Sequence, residues 1–244
     1  MSQSGWCDRI WQLVVGCSYV SEGCKHCYSA RKIHNVYRDQ EWAKELTCLN
    51  RDGVPGWTGK VVQRPEQLFK LDAWSCPSYV LVGDRGDLLH PKVPDEFIER
   101  ALIAIENNPK NIYLLLTKRS KRMASFFGRR KLPDNLWLGV SVEKAKYLHR
   151  ADDLHRTGAK KKFLSLQPLL GPVPVPDVDW VIVGGQQGGQ QTATKLEWVE
   201  QVVEQVKAKG IPLYVNYLPG YKKLGFTTRD WPEHLQVWER PGSG

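Results

Sequence analysis

The sequence predicts an α/β protein built on a parallel sheet, either an α/β barrel, complete or partial, or a doubly wound sheet. Seven short runs are near-continuously apolar rather than alternating, the pattern of strands buried on both faces. Helical periodicity or polar connections separate them, and strand–helix alternation builds parallel sheets. The carboxyl ends of the runs are polar and glycine-rich. In both architectures the functional site is assembled from such ends.

The runs, in order, are Ile10 to Val15, Tyr79 to Val82, Ile112 to Leu116, Leu136 to Val140, Lys162 to Leu166, Trp180 to Val183 and Pro212 to Val215. A helix is expected from Glu96 to Asn107, opened by Pro94-Asp95 and carrying Phe97, Ile98, Ala101, Leu102 and Ile105 on one face. A second is expected from Leu196 to Lys209, with Val199, Val202, Val203 and Val206 inward and Gly210 as its stop. Tyr28 to Leu46 is a further helical candidate. The stretch 47–78 lacks periodicity and reads as an irregular insertion within one domain spanning 1–244.

Hydrophobic residues make up 41% and charged residues 25% of the 244, which excludes disordered and collagen-like chains. No run approaches the ~18 uncharged apolar residues of a membrane span. Met1 to Arg9 has no signal-peptide pattern, so a cytoplasmic, reducing compartment is expected. The net charge of +9, a pI near 9.2 and ten tryptophans point to a polyanionic partner, nucleic acid first.

Six cysteines are too sparse for a disulfide scaffold. Three of them, Cys17, Cys24 and Cys27, are spaced C-x6-C-x2-C. Clustered thiols in a reducing compartment read as ligands for zinc or an iron–sulfur centre. A closed zinc site needs a fourth ligand, for which Cys7, His26 and His34 are the candidates. Three cysteines alone would leave one iron of a [4Fe–4S] cluster open to a substrate or cofactor. Purely structural cysteines are the third reading, although Gly16, Gly23 and Tyr28 frame the cluster as an ordered loop. Cys7, Cys48 and Cys76 are scattered and suggest no second centre.

Gly16-Cys17 through Ser21-x-Gly23-Cys24-x-x-Cys27-Tyr28 resembles the cysteine motif of phage-type radical S-adenosylmethionine proteins. Five further segments fall in the same order: Asp87-Leu88 with Val93 to Phe97, Leu116 to Arg119, Trp137 to Glu143, Pro168 to Pro172, and Trp180 to Gly185. The resemblance runs from Trp6 to about Asn216. It implies a partial TIM-like barrel of about six to seven parallel strands with flanking helices. It also implies a [4Fe–4S] cluster on Cys17, Cys24 and Cys27 that chelates S-adenosylmethionine, and a 5′-deoxyadenosyl radical that abstracts hydrogen. A reductant such as flavodoxin would supply the electron, in the cytoplasm of an infected bacterial host.

The same resemblance assigns residues. His26, Gly83, Asp84, Ser141, Glu143, Gly185 and Gln186 are candidates for binding the cofactor. Arg85, Asp87, Lys118, Arg119, Gln167 and Asn216 are candidates for binding the substrate. Three places depart from the family pattern. Leu166-Gln167-Pro168 stands where relatives carry Cys-Glu-Pro, Gly184-Gly185-Gln186-Gln187 where they carry Gly-Gly-Glu-Ser, and Asn216-Tyr217 where they carry Lys-Gln. Two acids and a base become neutral. A glutamine keeps an acceptor and gains donors but cannot hold charge, so the substrate, or the hold on the cofactor, should differ.

Some members of that family rearrange an amino-acid-modified thymine in phage DNA, which makes DNA the expected partner. A duplex substrate would have its base flipped out. Basic runs at 118–122, 129–131, 160–162 and 222–223 are candidates for phosphate contact or simply solvated faces. Phe126-Phe127 reads as a packing pair, and the strand tryptophans as core. The alternatives are a zinc-stabilised, non-catalytic nucleic-acid-binding module and a radical enzyme acting on a small metabolite.

Overall fold

A computed structural model describes residues 5–71, 74, 76–128, 130–186, 194–218 and 230–242. Seven strands form one sheet: β1 (Arg9–Trp11), β6 (Tyr79–Val82), β7 (Ile112–Thr117), β8 (Leu136–Ser141), β9 (Lys162–Leu166), β10 (Trp180–Gly184) and β11 (Leu213–Tyr217). They lie in that order, and every neighbouring pair is parallel. The order never reverses, so there is no switch point of the doubly wound kind. The sheet curls into a half-barrel with flanking helices, a partial TIM-like fold.

Each strand buries both faces, but against different partners. On the outer face Val80, Val82, Tyr113, Leu115, Leu138, Val140, Leu164, Val181 and Val183 pack with the helices. These are α2 (Asp95–Glu106), α3 (Ser120–Phe127), α4 (His149–His155) and α5 (Leu196–Lys209). The valine face of α5 and the Phe97, Ile98, Ala101, Ile105 face of α2 point inward as their periodicity requires. Phe126 and Phe127 are buried in α3, rings edge to face at 4.9 Å, as a packing pair. On the concave face Leu81, Leu114, Trp137, Phe163, Trp180 and Ile182 meet Trp6 in a second core without helices. Gly139 belongs to this face. A Cβ there would come within 2.4 Å of the Phe163 ring, so the glycine is what lets the ring lie across β8.

Three expectations about elements are corrected. Ile10 to Val15 is not one strand: β1 ends at Trp11, and β2 (Val14–Val15) pairs antiparallel with β5 (Val62–Gln63). Gln12 makes the break. Its side-chain N–H donates to Val14 O, and its Oε1 accepts from the amides of Asp84 and Arg85, so it replaces ladder bonds. The helix expected from Tyr28 to Leu46 is only α1 (Tyr28–Lys32), followed by a π-turn segment (Ile33–Tyr37) and a 3-10 turn (Glu41–Ala43). The run Ile33-His34-Asn35-Val36-Tyr37 consists of weak helix formers. The stretch 47–78 is not irregular throughout. It holds β3 (Thr47–Leu49) paired with β4 (Pro55–Trp57), then β5 and a 3-10 turn (Pro65–Phe69).

No helix among the described residues is long and apolar enough to cross a membrane.

Candidate functional site

Strand side chains alternate, so every second residue of each strand faces the concave interior. Large rings fill its lower half. Toward the carboxyl ends the inward positions turn small and polar: Gly83, Ser141, Ser165 and Asn216, with Lys118, Gln167 and Gln186 just beyond the strands. Around them lies a cavity of about 260 Å³. The cysteine loop forms its other wall, and Cys17, Cys24 and Cys27 all line it.

The loop is built by local bonds. Cys24 N–H donates to Ser21 O at 2.8 Å in a 3-10 turn, Cys27 N–H to Cys24 O at 3.3 Å, and Arg31 N–H to Cys27 O at 3.1 Å as α1 begins. The loop docks on Glu143, which is fully buried. Ser21 Oγ donates to Glu143 Oε1 at 2.7 Å, and Arg150, buried from α4, donates to Oε2 at 2.9 Å. Lys118 Nζ stands 3.5 Å from Oε1. Gly23 is pressed so closely that a Cβ would meet Glu143 Oε1 at 2.5 Å. A buried carboxylate with two cations and a hydroxyl is well compensated.

Two cations face the thiols. Arg119 Nη1 approaches Cys17 Sγ at 3.5 Å and donates to Asp87 Oδ2 at 2.7 Å. Burial and the Asp87 charge push the Cys17 thiol up to about 11, against the pull of Arg119. Burial also raises Cys27, while the Ala30 amide and the Trp57 indole act in the opposite direction. Burial opposes the Lys118 charge, but Glu143, Cys24 and Cys27 together hold its pKa above the usual lysine value. Without a metal, burial disfavours the thiolate form of Cys17 and Cys27. Among the described residues, no three Cys, His, Asp or Glu side chains already stand as a ready-made metal-holding group. The three sulfurs share a cavity rather than a point.

Beyond the thiols, Asp84 accepts from Tyr28 OH at 2.8 Å through Oδ2, while its buried Oδ1 has no hydrogen-bond partner among the described residues. The buried Nδ1 of His26 is likewise unpartnered there. On the opposite wall neutral amide side chains meet one another. Asn216 Nδ2 donates to Gln167 Oε1 at 2.8 Å, Gln167 Nε2 donates to Gly185 O at 3.2 Å, and Gln186 donates to His26 O. That wall is neutral and amide-lined, facing one that carries Asp84, Asp87, Lys118 and Arg119.

Of the residues singled out in the sequence, Cys17, Cys24, Cys27, His26, Gly83, Asp84, Asp87, Lys118, Arg119, Ser141, Gln167, Gln186 and Asn216 line this cavity. Glu143, Arg85 and Gly185 do not. Glu143 lies behind the cysteine loop. Arg85 stacks its guanidinium over the Tyr37 ring, 5.3 Å from its centre. Gly185 contributes only backbone, its N–H donating to Tyr217 O at 2.8 Å. Gln187, Arg129 and the run at 222–223 lie outside the described residues. Sequence reasoning missed Trp57, Ser18, His90, Thr117 and Arg150. Trp57 and His90 lie in segments with no motif. Arg150 could have been suspected, because α4 starts six residues after Glu143 and carries an inward-facing base.

The fold and this cavity define a partial-barrel α/β protein whose strand ends and cysteine loop gather three thiols and two half-buried cations. The chain belongs to the family described as "Protein of unknown function (DUF5131)", whose pattern it matches over residues 1–234. No curated protein and no solved structure matches it.

Proposed function

We propose that this protein is a radical S-adenosylmethionine enzyme. The observation that carries the reading is that Cys17, Cys24 and Cys27 line one strand-end cavity together with Lys118 and Arg119, the latter with Nη1 3.5 Å from the Cys17 sulfur. The donor set fits a [4Fe–4S] cluster. Three cysteines leave one iron of such a cluster open to a cofactor, whereas a closed zinc site needs a fourth protein ligand. When bound, the cluster and S-adenosylmethionine supply one-electron, hydrogen-abstracting chemistry.

The chain's own residues would bind and orient. Cys17, Cys24 and Cys27 hold the cluster. Asp84, whose buried Oδ1 accepts no hydrogen bond among the described residues and has Arg85 Nε at 3.7 Å, would accept from the cofactor's amino group, and His26 and Gln186 flank it. Gln167 and Asn216 meet an uncharged, hydrogen-bonding substrate, while Lys118 neutralises a carboxylate on it. The aromatic floor and the docked loop exclude water from below and from one side. An amino-acid-modified thymine of phage DNA supplies both the planar amide edge and the carboxylate, and rearrangement at that substituent is the proposed reaction.

A second reading, a small free metabolite as substrate, is favoured by the fate of the basic residues. Arg119, Arg122 and Arg130 are engaged by Asp87, Asp95 and Glu99, and Lys160 and Lys161 by Asp134 and Asp179. The testing experiment is anaerobic purification with iron and sulfide analysis, then reduction with S-adenosylmethionine. About four irons per chain and release of 5′-deoxyadenosine are expected. One zinc, no iron and no cofactor cleavage would sink the proposal. DNA carrying the modified base then separates the substrates. Salt-sensitive binding with a linear log–log slope supports DNA, and its absence supports the metabolite.

A further inference from the structure

The sequence reading offered Arg119 and Asp87 as substrate ligands, but the geometry points to another role. We infer that Arg119, clamped by Asp87, is a positioning residue for the Cys17 sulfur and sets how readily the iron–sulfur centre accepts an electron. This rests on the functional reading above.

A guanidinium carries five N–H donors, and four of Arg119's are engaged within the protein. Nη1 donates to Asp87 Oδ2 at 2.7 Å and reaches Cys17 Sγ at 3.5 Å. Nη2 donates to Ser18 O at 3.2 Å and to Ser18 Oγ at 2.9 Å. Both arms therefore grip the dipeptide Cys17-Ser18, and the side chain is only 10% exposed. Little of it remains for a substrate.

The clamp is itself held. Asp87 Oδ2 also accepts from Thr117 Oγ1 at 2.8 Å, and Oδ1 accepts from the Leu89 amide at 2.9 Å. His90 Nε2 lies 2.9 Å from Ser18 Oγ. A charge-assisted bond to Asp87 on one arm and two bonds to Ser18 on the other fix orientation as well as charge. The contact places the device at Cys17.

The electrostatic consequence has a sign. A cation and an N–H aimed at a ligating sulfur stabilise added negative charge, so they favour the reduced centre. A carboxylate at the same spot opposes it. Arg119 and Asp87 should therefore shift the reduction equilibrium in opposite directions, which a purely structural clamp would not do.

The experiment is a redox titration, followed by electron paramagnetic resonance, of the full-length chain reconstituted with iron and sulfide. Arg119→Gln is expected to favour the oxidised centre about tenfold, 59 mV for a one-electron couple. Asp87→Asn is expected to move it the other way, with the iron content of both variants equal to that of the unaltered protein. Loaded variants whose potentials are unmoved, or move in the same direction, overturn the inference and leave the functional reading standing. An unaltered protein that binds no iron overturns both. If Arg119→Gln does not accumulate in folded form, Asp87→Asn decides alone: a potential that is unmoved or lowered overturns the inference.

Discussion

His90 shows how much one side chain can reveal when its partners are known. The Lys92 amide donates to its Nδ1 at 3.2 Å, so that nitrogen is an acceptor and the proton sits on Nε2, directed at Ser18 Oγ. Burial, then the Arg119 charge, with Lys92 and Arg122 beyond, lower its pKa from 6.5 to about 4, and Asp87 only partly offsets them. The unfolded chain therefore binds a proton between about pH 6.5 and 4 that the folded chain refuses, and stability falls as pH falls through that window. His90→Asn is expected to flatten this part of the pH–stability curve measured by urea unfolding; a slope unchanged by the substitution would refute the assignment. Little of this was legible in the sequence. Asp87 and Arg119 are 32 positions apart, and nothing in their spacing says that they bind each other. The three cysteines were legible as one cluster because residues of one loop are close in sequence and so stay close in space.

Elements were read well where burial alone decides them and poorly where side chains replace backbone bonds. The runs at β6 to β11 are apolar on both faces, and the valine and α2 stripes give helices within a residue of their predicted bounds. The run at Ile10 to Val15 is just as apolar, but Gln12 interrupts it with its own amide. The insertion carried no periodicity because its strands are two or three residues long, yet it delivers Trp57 to the cavity. Between elements, the tightest fit is the Phe163 ring of β9 against Gly139 of β8. Gly139→Ala places a methyl where the ring lies, and overpacking of this kind costs about 1–3 kcal/mol. A lower urea midpoint with an unchanged m-value is the expected result. A variant as stable as the unaltered chain would mean that the ring has room to move.

At the scale of the molecule, the half-barrel leaves β1 and β11 as open edges, and the last described segment covers one of them. Val215 N–H donates to Val237 O at 2.8 Å, Glu239 N–H to Leu213 O at 2.8 Å, and Trp231 and Leu235 are buried behind. The same segment reaches the other edge, where Arg240 donates to Asp8 at 3.0 Å and to Gly5 O at 2.7 Å. An uncovered edge strand is a template for self-association. Removing residues 231–244 is therefore expected to lower stability and to give dimers or aggregates in light scattering; a stable monomer would argue that the cover is dispensable. The net charge, the first clue in the sequence, is partly offset where it clusters, because acids pair with Lys118, Arg119, Arg122, Arg130, Lys160 and Lys161. The aromatic floor has its own consequence. Trp6, Trp137, Phe163 and Trp180 close the lower end of the interior, so the floor offers no passage from below. A molecule lying against that floor would have to come and go past one lying nearer the strand ends.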